Sequence, residues 1–219
     1  MSGPSAAVLE WLRAQLGEVT VADRHAHGTQ DEVYAVRSAN VTYYLKMSDA
    51  LQAEHDNIIR LQPYLSVPEV IGFTTLKGRD CLLMSAVPGK NLVEWMGEWP
   101  VETLVKEFAA ATRDYHDIPV RDLFADETRP NAVVTHGDMA MLNVLCTAPG
   151  NRGHIDLGKL TSSLPEDDIA DAIWSLQRNL GPGYGPMFLE AYGKVEITEK
   201  IQKMLDFVYT PADTSDGQA

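Results

Sequence analysis

The sequence predicts an α+β fold of two lobes, in which a five-stranded antiparallel sheet with one main helix precedes a mostly helical C-terminal lobe. Three observations lead to this prediction. Short segments of alternating apolar and polar residues, separated by polar turns, recur through the first 87 residues. Helical periodicity dominates after residue 100. A Pro-Gly pair interrupts the pattern between these parts, so we expect lobes at 1–87 and 88–209 and a flexible tail at 210–219.

The N-terminal lobe is predicted to contain a helix, three strands, a second helix and two more strands. The first helix should span about 5–16, and the Ser-Ala-Asn turn at 38–40 predicts a hairpin. Ser48 is a candidate N-cap of the second helix. The expected strands are 19–27, 31–38, 41–47, 69–76 and 79–87, with the second helix at 48–65.

The C-terminal lobe is predicted to be helical on both sides of one polar loop and a hairpin. Apolar residues at helical spacing indicate helices at about 101–118, 166–180, 184–192 and 197–209. Between the first two of these helices, "VVTHGDMAMLNVLC" at 133–146 sets polar residues between two apolar runs typical of buried strands. This loop is the candidate catalytic segment.

Charge and cysteine content narrow the function classes. The chain has 18 Lys and Arg against 31 Asp and Glu, a net charge of -13, which repels nucleic acid and anionic membranes and favours a cationic small molecule. Such acidity is also common in soluble proteins. Cys81 and Cys146 lie in apolar runs, so we expect no disulfide and a reducing compartment. No run approaches the roughly 18 apolar residues of a membrane span, and the predicted localisation is cytoplasmic.

The polar loop carries a pattern suited to phosphoryl transfer. Asp138 could accept the proton of an acceptor hydroxyl, and the side-chain oxygen of Asn143 could bind magnesium. A second metal-binding carboxylate is needed, and Asp156 follows thirteen residues after Asn143 beyond a predicted hairpin turn at "APGNRG". Gly158 is expected to let the backbone bend toward a ligand. Each residue alone could instead be an ordinary turn or loop former.

A different interpretation pairs His136 with Asp138 and His154 with Asp156. Alternate residues on a strand share a face, so these two pairs could bind zinc or iron in a metallohydrolase. That reading leaves Lys46 and Asn143 unexplained. We expect His136 to order the loop by bonding to the backbone.

Lys46 is the candidate phosphate ligand of the N-terminal lobe. It stands near the end of the third predicted strand, where a lysine can reach the α- and β-phosphates when an acid on the next helix holds it. Glu54 is the candidate acid. The two could also form an ordinary surface ion pair.

These motifs together resemble the aminoglycoside O-phosphotransferases, closest to the group that acts on the 3'-hydroxyl, which have a protein-kinase-like fold. "VTHGDMAMLNVL" and "HIDLGKL" resemble the family's catalytic loop and metal-binding hairpin. "YYLKMSD" resembles its lysine strand, "VPEVIGF" and "LLMSAVPG" its last strands and hinge, and "DDIADAIWSL" the helix that follows. The likeness covers most of the chain.

The resemblance implies a role for each matching residue. Asp138 would be the catalytic base, Asn143 and Asp156 the Mg²⁺ ligands, and Lys46 with Glu54 the phosphate-positioning pair. The adenine pocket would be formed by Tyr44 stacking on the base, Met84 lining the pocket, and the backbone of Ser85, Ala86 and Val87 bonding the base. The backbone amides of Gly28, Thr29 and Gln30 could cradle phosphate, although a plain hairpin turn explains these residues equally well.

The sequence departs from the family where the acceptor would bind. The long helical insertion usual before the catalytic loop is reduced to "RDLFADETRPNAV". Arg178 and Asn179 stand where close relatives are acidic, and the C-terminal acidic pair is reduced to Asp206 followed by Phe207. Lys159 replaces an arginine, and it and Asp206 are the candidate substrate contacts. Each lost charge-assisted hydrogen bond removes roughly 1.5–3 kcal/mol of possible binding, so we expect aminoglycosides to be poor substrates.

The function expected from the sequence is an ATP- or GTP-dependent, magnesium-dependent phosphotransferase for a small hydroxylated acceptor. An aminoglycoside-like antibiotic is the acceptor that the resemblance implies, with antibiotic resistance as the consequence. The alternatives are a kinase of another hydroxylated metabolite and a nucleotide-binding protein with degraded acceptor chemistry. We expect no nucleic-acid or membrane partner, and the oligomeric state is open.

Overall fold

The structure, a computed structural model, describes residues 3–25 and 31–209, with the side chains of 22–25 left out. The chain divides into two compact units. The first contains Met1–Pro88 and Gly153–Lys159, and the second contains Gly89–Arg152 and Leu160–Ala219. The expected tail at 210–219 lies outside the described residues. Residues 153–159, expected in the C-terminal lobe, group with the N-terminal unit in the structure.

Local contacts within the first unit explain this grouping. The backbone N–H of His154 donates to the carbonyl of Ser66 at 2.9 Å. Gly153 approaches Val87 so closely that an added Cβ would lie 2.4 Å from its Cγ1. A side chain larger than hydrogen does not fit there, so this close approach requires glycine.

The first unit is a five-stranded antiparallel sheet with two helices, as predicted. The strand order is β1-β2-β3-β5-β4. Every neighbouring pair is antiparallel. The elements are α1 (Ala6–Leu16), β1 (Thr20–His25), β2 (Glu32–Ser38), β3 (Val41–Ser48), α2 (Gln52–Leu61), β4 (Val70–Leu76) and β5 (Arg79–Ser85).

The two faces of this sheet have different roles. One face packs against Val8 and Leu12 of α1, and its members are Tyr34, Val36, Leu45, Met47, Cys81 and Leu83. Side chains alternate along a strand, so the neighbouring residues face the other way. The register pairs Tyr44 with Met84 and Lys46 with Leu82, which places these four side chains together on the face opposite α1.

The start of α2 differs from the prediction. Ser48 remains in β3, paired with Asp80, so it does not cap the helix. Leu51 occupies the N-cap position instead. Its backbone N–H donates to the Asp80 carboxylate at 2.9 Å, and that carboxylate supplies an acceptor near the helix start.

The second unit is mostly helical, as predicted. Its core packs buried side chains of α3, α5 and α6, including Phe108, Ile173 and Phe188. Its elements are β6 (Lys90–Asn91), α3 (Val101–His116), α4 (Val120–Leu123), β7 (Val133–Thr135), β8 (Val144–Ala148), β9 (Asn151–His154), β10 (Thr161–Ser163), α5 (Pro165–Leu180), α6 (Gly185–Tyr192) and α7 (Glu199–Asp206). The last two residues of β9 belong to the first unit.

Short strands hold both ends of the polar loop at 136–143. Thr135 of β7 pairs with Thr161 of β10 at one end. At the other end β8 pairs with β6, where Lys90 lies opposite Cys146. These pairings anchor the loop to backbone on both sides. Within the described residues, the structure contains no helix that is both long and apolar enough to cross a membrane.

Candidate active site

The candidate catalytic loop leaves β7 and places Asp138 and Asn143 next to each other. Gly137 has φ +77°, a left-handed conformation that favours glycine at the turn. The side-chain amide of Asn143 donates from Nδ2 to the backbone carbonyl of Asp138 at 2.9 Å. This bond orients the amide, so its oxygen is directed away from that carbonyl. The side chains of Asp138 and Asn143 are both half-buried.

His136 orders the loop, as expected from the sequence. Its ring is fully buried and lies edge-on to Tyr115, with 5.3 Å between ring centroids. Its Nδ1 accepts the backbone N–H of Asp138 at 3.2 Å. A neutral ring whose Nδ1 accepts this bond carries its hydrogen on Nε2 and has no lone pair left for a metal, so the geometry does not favour the alternative with paired His and Asp ligands.

Asp168 holds this loop from α5, and the sequence analysis missed that role. Its carboxylate is fully buried and accepts the backbone N–H groups of His136 at 2.8 Å and Gly137 at 3.0 Å. One signal could have identified it. Asp168 interrupts the apolar stripe of its helix, and a polar residue buried in this way needs partners.

A second residue on the same face of α5 supports the far end of the loop. Ser175 lies two helical turns after Asp168, and its Oγ accepts the backbone N–H of Met141 at 3.0 Å. Residues seven apart on a helix share a face. The helix therefore holds the loop at two points, one on each side of Asp138.

The candidate phosphate-binding group is a buried ionic cluster in the first unit. Lys46 Nζ lies 2.7 Å from Glu54 Oε2 and 2.7 Å from Asp156 Oδ1. Asp31 is 3.3 Å from the same nitrogen. Glu54 and Lys46 are eight residues apart, but Asp156 is 110 residues away from Lys46 in sequence. Only the fold brings these three predicted residues together.

Burial and charge oppose each other in this cluster. Burial lowers the pKa of Lys46, but the carboxylates of Glu54 and Asp156 outweigh it, so the net pKa is raised. Lys46 is therefore a permanent cation. Burial raises the pKa of Glu54, and the attraction of Lys46 offsets only part of that rise.

Asp156 is presented by an unusual backbone conformation. Its φ is +61°, the left-handed region, whereas Gly158 has no such angle. The bend that the sequence analysis attributed to Gly158 therefore occurs at Asp156 itself. The following turn is held by Asn57 of α2, whose Nδ2 donates to the Leu157 carbonyl at 2.9 Å. The Asp156 side chain is 46% exposed, which leaves it accessible to a ligand.

The candidate adenine-binding residues occupy one face and one end of the sheet. Tyr44 and Met84 are directly paired across β3 and β5. The N–H of Ser85 donates to the Glu69 carbonyl at 2.9 Å, so that group is already engaged, and base contacts would fall to Ala86 and Val87. Gly28, Thr29 and Gln30, predicted to cradle phosphate, lie outside the described residues.

The shortened segment before the catalytic loop is held against β10. Arg129 donates to the carbonyl of Ser162 at 2.6 Å and to Glu127 Oε2 at 2.6 Å. Ser162 Oγ also contacts Glu127. These bonds tie the segment to the strand that pairs with β7.

The residues singled out for acceptor binding are spread over both units. Asn179 donates to the Ser175 carbonyl at 2.8 Å, and the guanidinium of Arg178 lies 5.3 Å from the Trp174 ring centroid. Asp206 accepts from Gln202 at the exposed end of α7. Lys159 is exposed in the first unit. Asn179, Arg178 and Asp206 thus have contacts within the protein that do not require an acceptor.

Asp171 is a further carboxylate whose environment includes Asp138. Partial burial of the Asp171 carboxyl, followed by the charges of Asp168 and Asp138, raises the pKa of Asp171 to about 6, while Lys200 opposes the rise. The side chain lies on the exposed side of α5. Asp168 and Asp138 therefore both act on Asp171 as like charges.

Each unit contains an oxygen donor of the kind that Mg²⁺ prefers. Mg²⁺ prefers oxygen ligands and usually takes one or two from the protein, with phosphate and water completing its shell. The oriented amide of Asn143 and the accessible carboxylate of Asp156 are such donors. Among residues 3–25 and 31–209, no three His, Cys, Asp or Glu side chains cluster in a way that could hold a metal by themselves.

The comparisons with known proteins bear on the family and the fold. Residues 122–204, which include the candidate catalytic loop and α5, match the phosphotransferase enzyme family. This match agrees with the predicted resemblance to phosphotransferases over that part of the chain. No curated protein matches the chain at a significant level.

Solved structures confirm the fold of these phosphotransferases over most of the chain. An aminoglycoside-3'-phosphotransferase of type VIII is 19% identical, with a TM-score of 0.71 over 91% of this chain and 97% of its own. An aminoglycoside phosphotransferase from Streptomyces rimosus, solved with ADP and streptomycin, is 20% identical, with a TM-score of 0.66 over 91% and 95%. A macrolide 2'-phosphotransferase from Brachybacterium faecium is 14% identical, with a TM-score of 0.65 over 90% and 87%. Together with the family match, this fold supports a small-molecule phosphotransferase.

Proposed function

We propose that the protein transfers the γ-phosphoryl group of ATP or GTP to a hydroxyl of a small molecule. The observation that carries the proposal is the buried Lys46 cation, held by Glu54 and Asp156 at 2.7 Å each. A cation with one carboxylate to hold it and a second, accessible carboxylate is what a magnesium triphosphate requires.

The first unit supplies the nucleotide chemistry. Lys46, positioned by Glu54, would bind the α- and β-phosphates. Tyr44 and Met84 would contact the adenine, and the backbone of Ala86 and Val87 would bond its edge. These residues share the sheet face opposite α1 or follow the end of β5, so one ligand of nucleotide length can contact all of them.

Asp156 is the proposed magnesium ligand of the first unit, and Asn143 is that of the second. The ion would neutralise the triphosphate oxygens as charge develops during transfer. Asp156 now bonds to Lys46, and a phosphate would replace it as the partner of that cation.

The second unit supplies the acceptor chemistry. Asp138 would orient the acceptor hydroxyl and take its proton, with no covalent enzyme intermediate. The two supports from α5 hold the backbone on either side of this carboxylate. Catalysis would then depend mainly on positioning and charge neutralisation.

The acceptor is proposed to be a hydroxylated small molecule, neutral or cationic. The streptomycin and macrolide enzymes among the solved structures show that this fold serves chemically different acceptors. Arg178, Asn179 and Phe207 provide few carboxylates for a polyamine sugar, so we propose that common aminoglycosides bind weakly. Another hydroxylated metabolite is the second candidate acceptor.

A phosphate-transfer screen tests this function. Label from γ-phosphate-labelled ATP would be followed into aminoglycosides, macrolides and hydroxylated metabolites. With the best acceptor, Asp138→Asn should lower turnover at least about 10²-fold while the ATP dissociation constant stays within a few-fold, because the substitution removes only the base. Glu190→Gln on the exposed side of α6 is the control.

Two results would contradict the proposal. Transfer by Asp138→Asn near the wild-type rate would end the assigned mechanism. A specificity constant for kanamycin or neomycin of about 10⁶ M⁻¹s⁻¹ or more would refute weak aminoglycoside use.

A further inference from the structure

We propose that Tyr192 and His116 form a hydrogen-bonded chain that positions the catalytic loop through Asp168. The chain lies wholly within the second unit and starts at the end of α6, away from the reacting groups. The inference rests on the proposed function in one respect, namely that Asp138 acts on an acceptor. His116 and Tyr192 are positioning residues, since His116 contacts Asp168, Tyr192 contacts His116, and both act through Asp168.

The geometry connects three helices in sequence. His116 is the last residue of α3, and its Nδ1 lies 2.7 Å from the hydroxyl of Tyr192, the last residue of α6. Its Nε2 lies 3.3 Å from Oδ2 of Asp168 in α5. The side chains of His116 and Asp168 are 2% and 0% exposed, so water does not compete for these bonds.

The chemistry of the partners assigns a direction to the chain. The Asp168 oxygens accept two loop N–H groups, so the hydrogen between His116 and Asp168 belongs to Nε2 of the ring. In a neutral ring Nδ1 is then an acceptor, and the Tyr192 hydroxyl must donate to it. Burial raises the pKa of Tyr192, although Arg113 opposes the rise, and the hydroxyl therefore remains a donor.

The consequence is that Tyr192 selects the ring tautomer that supports Asp168. Asp168 Oδ2 accepts from both His116 and the backbone of His136, which immediately precedes Gly137 and Asp138. Losing the Nε2 donor would let the Asp168 carboxylate move or rotate. Displacements near 1 Å at a reacting group can lower turnover about 10²-fold.

Four variants separate this role from simple stabilisation. His116→Leu removes both ring nitrogens, whereas His116→Gln retains an N–H donor near the position of Nε2. Tyr192→Phe removes only the hydroxyl. Thr112→Val is the matched control, because the buried Thr112 hydroxyl lies one turn earlier on α3 and donates to the Phe108 carbonyl within its own helix at 3.0 Å.

Three quantities would be measured. They are the kcat of ATP hydrolysis with water as the acceptor, the KM for magnesium ATP, and the ¹⁵N NMR resonance of Nδ1 of His116. His116→Leu should lower kcat roughly 10-fold to 100-fold, the loss typical of an outer supporting partner, with KM for ATP within about two-fold. Tyr192→Phe should give a smaller loss and shift the ¹⁵N resonance of Nδ1 of His116. His116→Gln should recover kcat to within about three-fold of wild type, and Thr112→Val should change kcat by less than about two-fold.

Amide hydrogen exchange at His136 and Gly137 makes the test independent of activity. Exchange there should accelerate in His116→Leu and Tyr192→Phe and remain slow in His116→Gln and Thr112→Val. Unchanged exchange and kcat in Tyr192→Phe would overturn the inference even if His116→Leu failed to fold. If the wild type transferred phosphate neither to water nor to any acceptor in the screen, the proposed function would fail, while the exchange and ¹⁵N results would still decide this inference.

Discussion

Burying the Glu54 carboxylate costs free energy, and pairing with Lys46 offsets that cost. Its side chain is 5% exposed, and an unpaired carboxylate at that depth would be costly. Lys46 compensates at 2.7 Å, and the pair leaves the cation in a fixed position. We propose that the role of Glu54 is to place the Lys46 ammonium group.

We predict that Glu54→Gln weakens nucleotide binding. The amide cannot replace the charge-assisted bond, worth roughly 1.5–3 kcal/mol, so the KM for magnesium ATP should rise about 10-fold or more. Steady-state kinetics with varied ATP would measure this. Asp56→Asn, an exposed change on the same helix, should leave the KM unchanged, and an unchanged KM in Glu54→Gln would show that Lys46 is positioned by other groups.

A second prediction concerns the raised pKa of Asp171. Its pKa rises from 3.8 to about 6 in the folded protein, so the folded state holds this proton more tightly than the unfolded state. The stability from that proton is present below about pH 4 and is lost as the pH rises through 6. Asp171→Asn should therefore raise the Tm at pH 7.5 relative to wild type, and the gain should vanish near pH 4.

Thermal unfolding at several pH values would check this. Asp126→Asn, a neutralised carboxylate in an exposed loop, is the control for the change in net charge. Solvent screens part of the effect because Asp171 is on the exposed side of α5, so only the sign and pH range are predicted. An equal gain at pH 4 and pH 7.5 would contradict the assignment.

At the scale of one element, α5 combines a core stripe with two loop supports. It begins with Pro165 and three acidic residues in its first turn, a composition that favours a helix start. Its buried face contains apolar residues interrupted only by polar side chains such as Asp168 and Ser175. A helix packed in the core is rigid, so groups on it can hold a loop in a defined geometry.

We predict that Ser175→Ala loosens one end of the catalytic loop. The Met141 N–H would lose its acceptor while buried, which costs about 1–3 kcal/mol. Urea unfolding should show that loss, and hydrogen exchange at Met141 should accelerate. Thr112→Val, which removes a buried hydroxyl that bonds the Phe108 carbonyl within α3, is the control, and similar Met141 exchange in both variants would mean that the serine hydroxyl does not hold the loop.

At the scale of the whole molecule, the chain crosses between its units more than once. Residues 153–159 return to the N-terminal unit, where the Gly153 and His154 backbone packs against Val87 and Ser66. This return places Asp156 beside Lys46. A purely sequential division of the chain could not show it, because the Asp156 partner is 110 residues away.

Much of the architecture was predictable from local patterns. Alternation identified the five strands, and helical spacing identified α3, α5 and α6 to within two residues, because burial of one face imposes those periods on the sequence. Ser48 and Gly158 were misjudged for a related reason. A cap or a bend depends on which backbone groups lack partners, and that is decided by the packed neighbours Asp80 and Asn57.

The sequence by itself determined the secondary structure, the lysine strand and the spacing of Asp138 and Asn143, because these depend on contacts between near neighbours. Only the tertiary structure decided the support of the loop by Asp168 and Ser175, the link through His116 to Tyr192, and the approach of Asp156 to Lys46. These contacts join residues that are between 31 and 110 positions apart. A buried polar group must be hydrogen-bonded, and the linear sequence pattern does not specify which residue the fold places beside it.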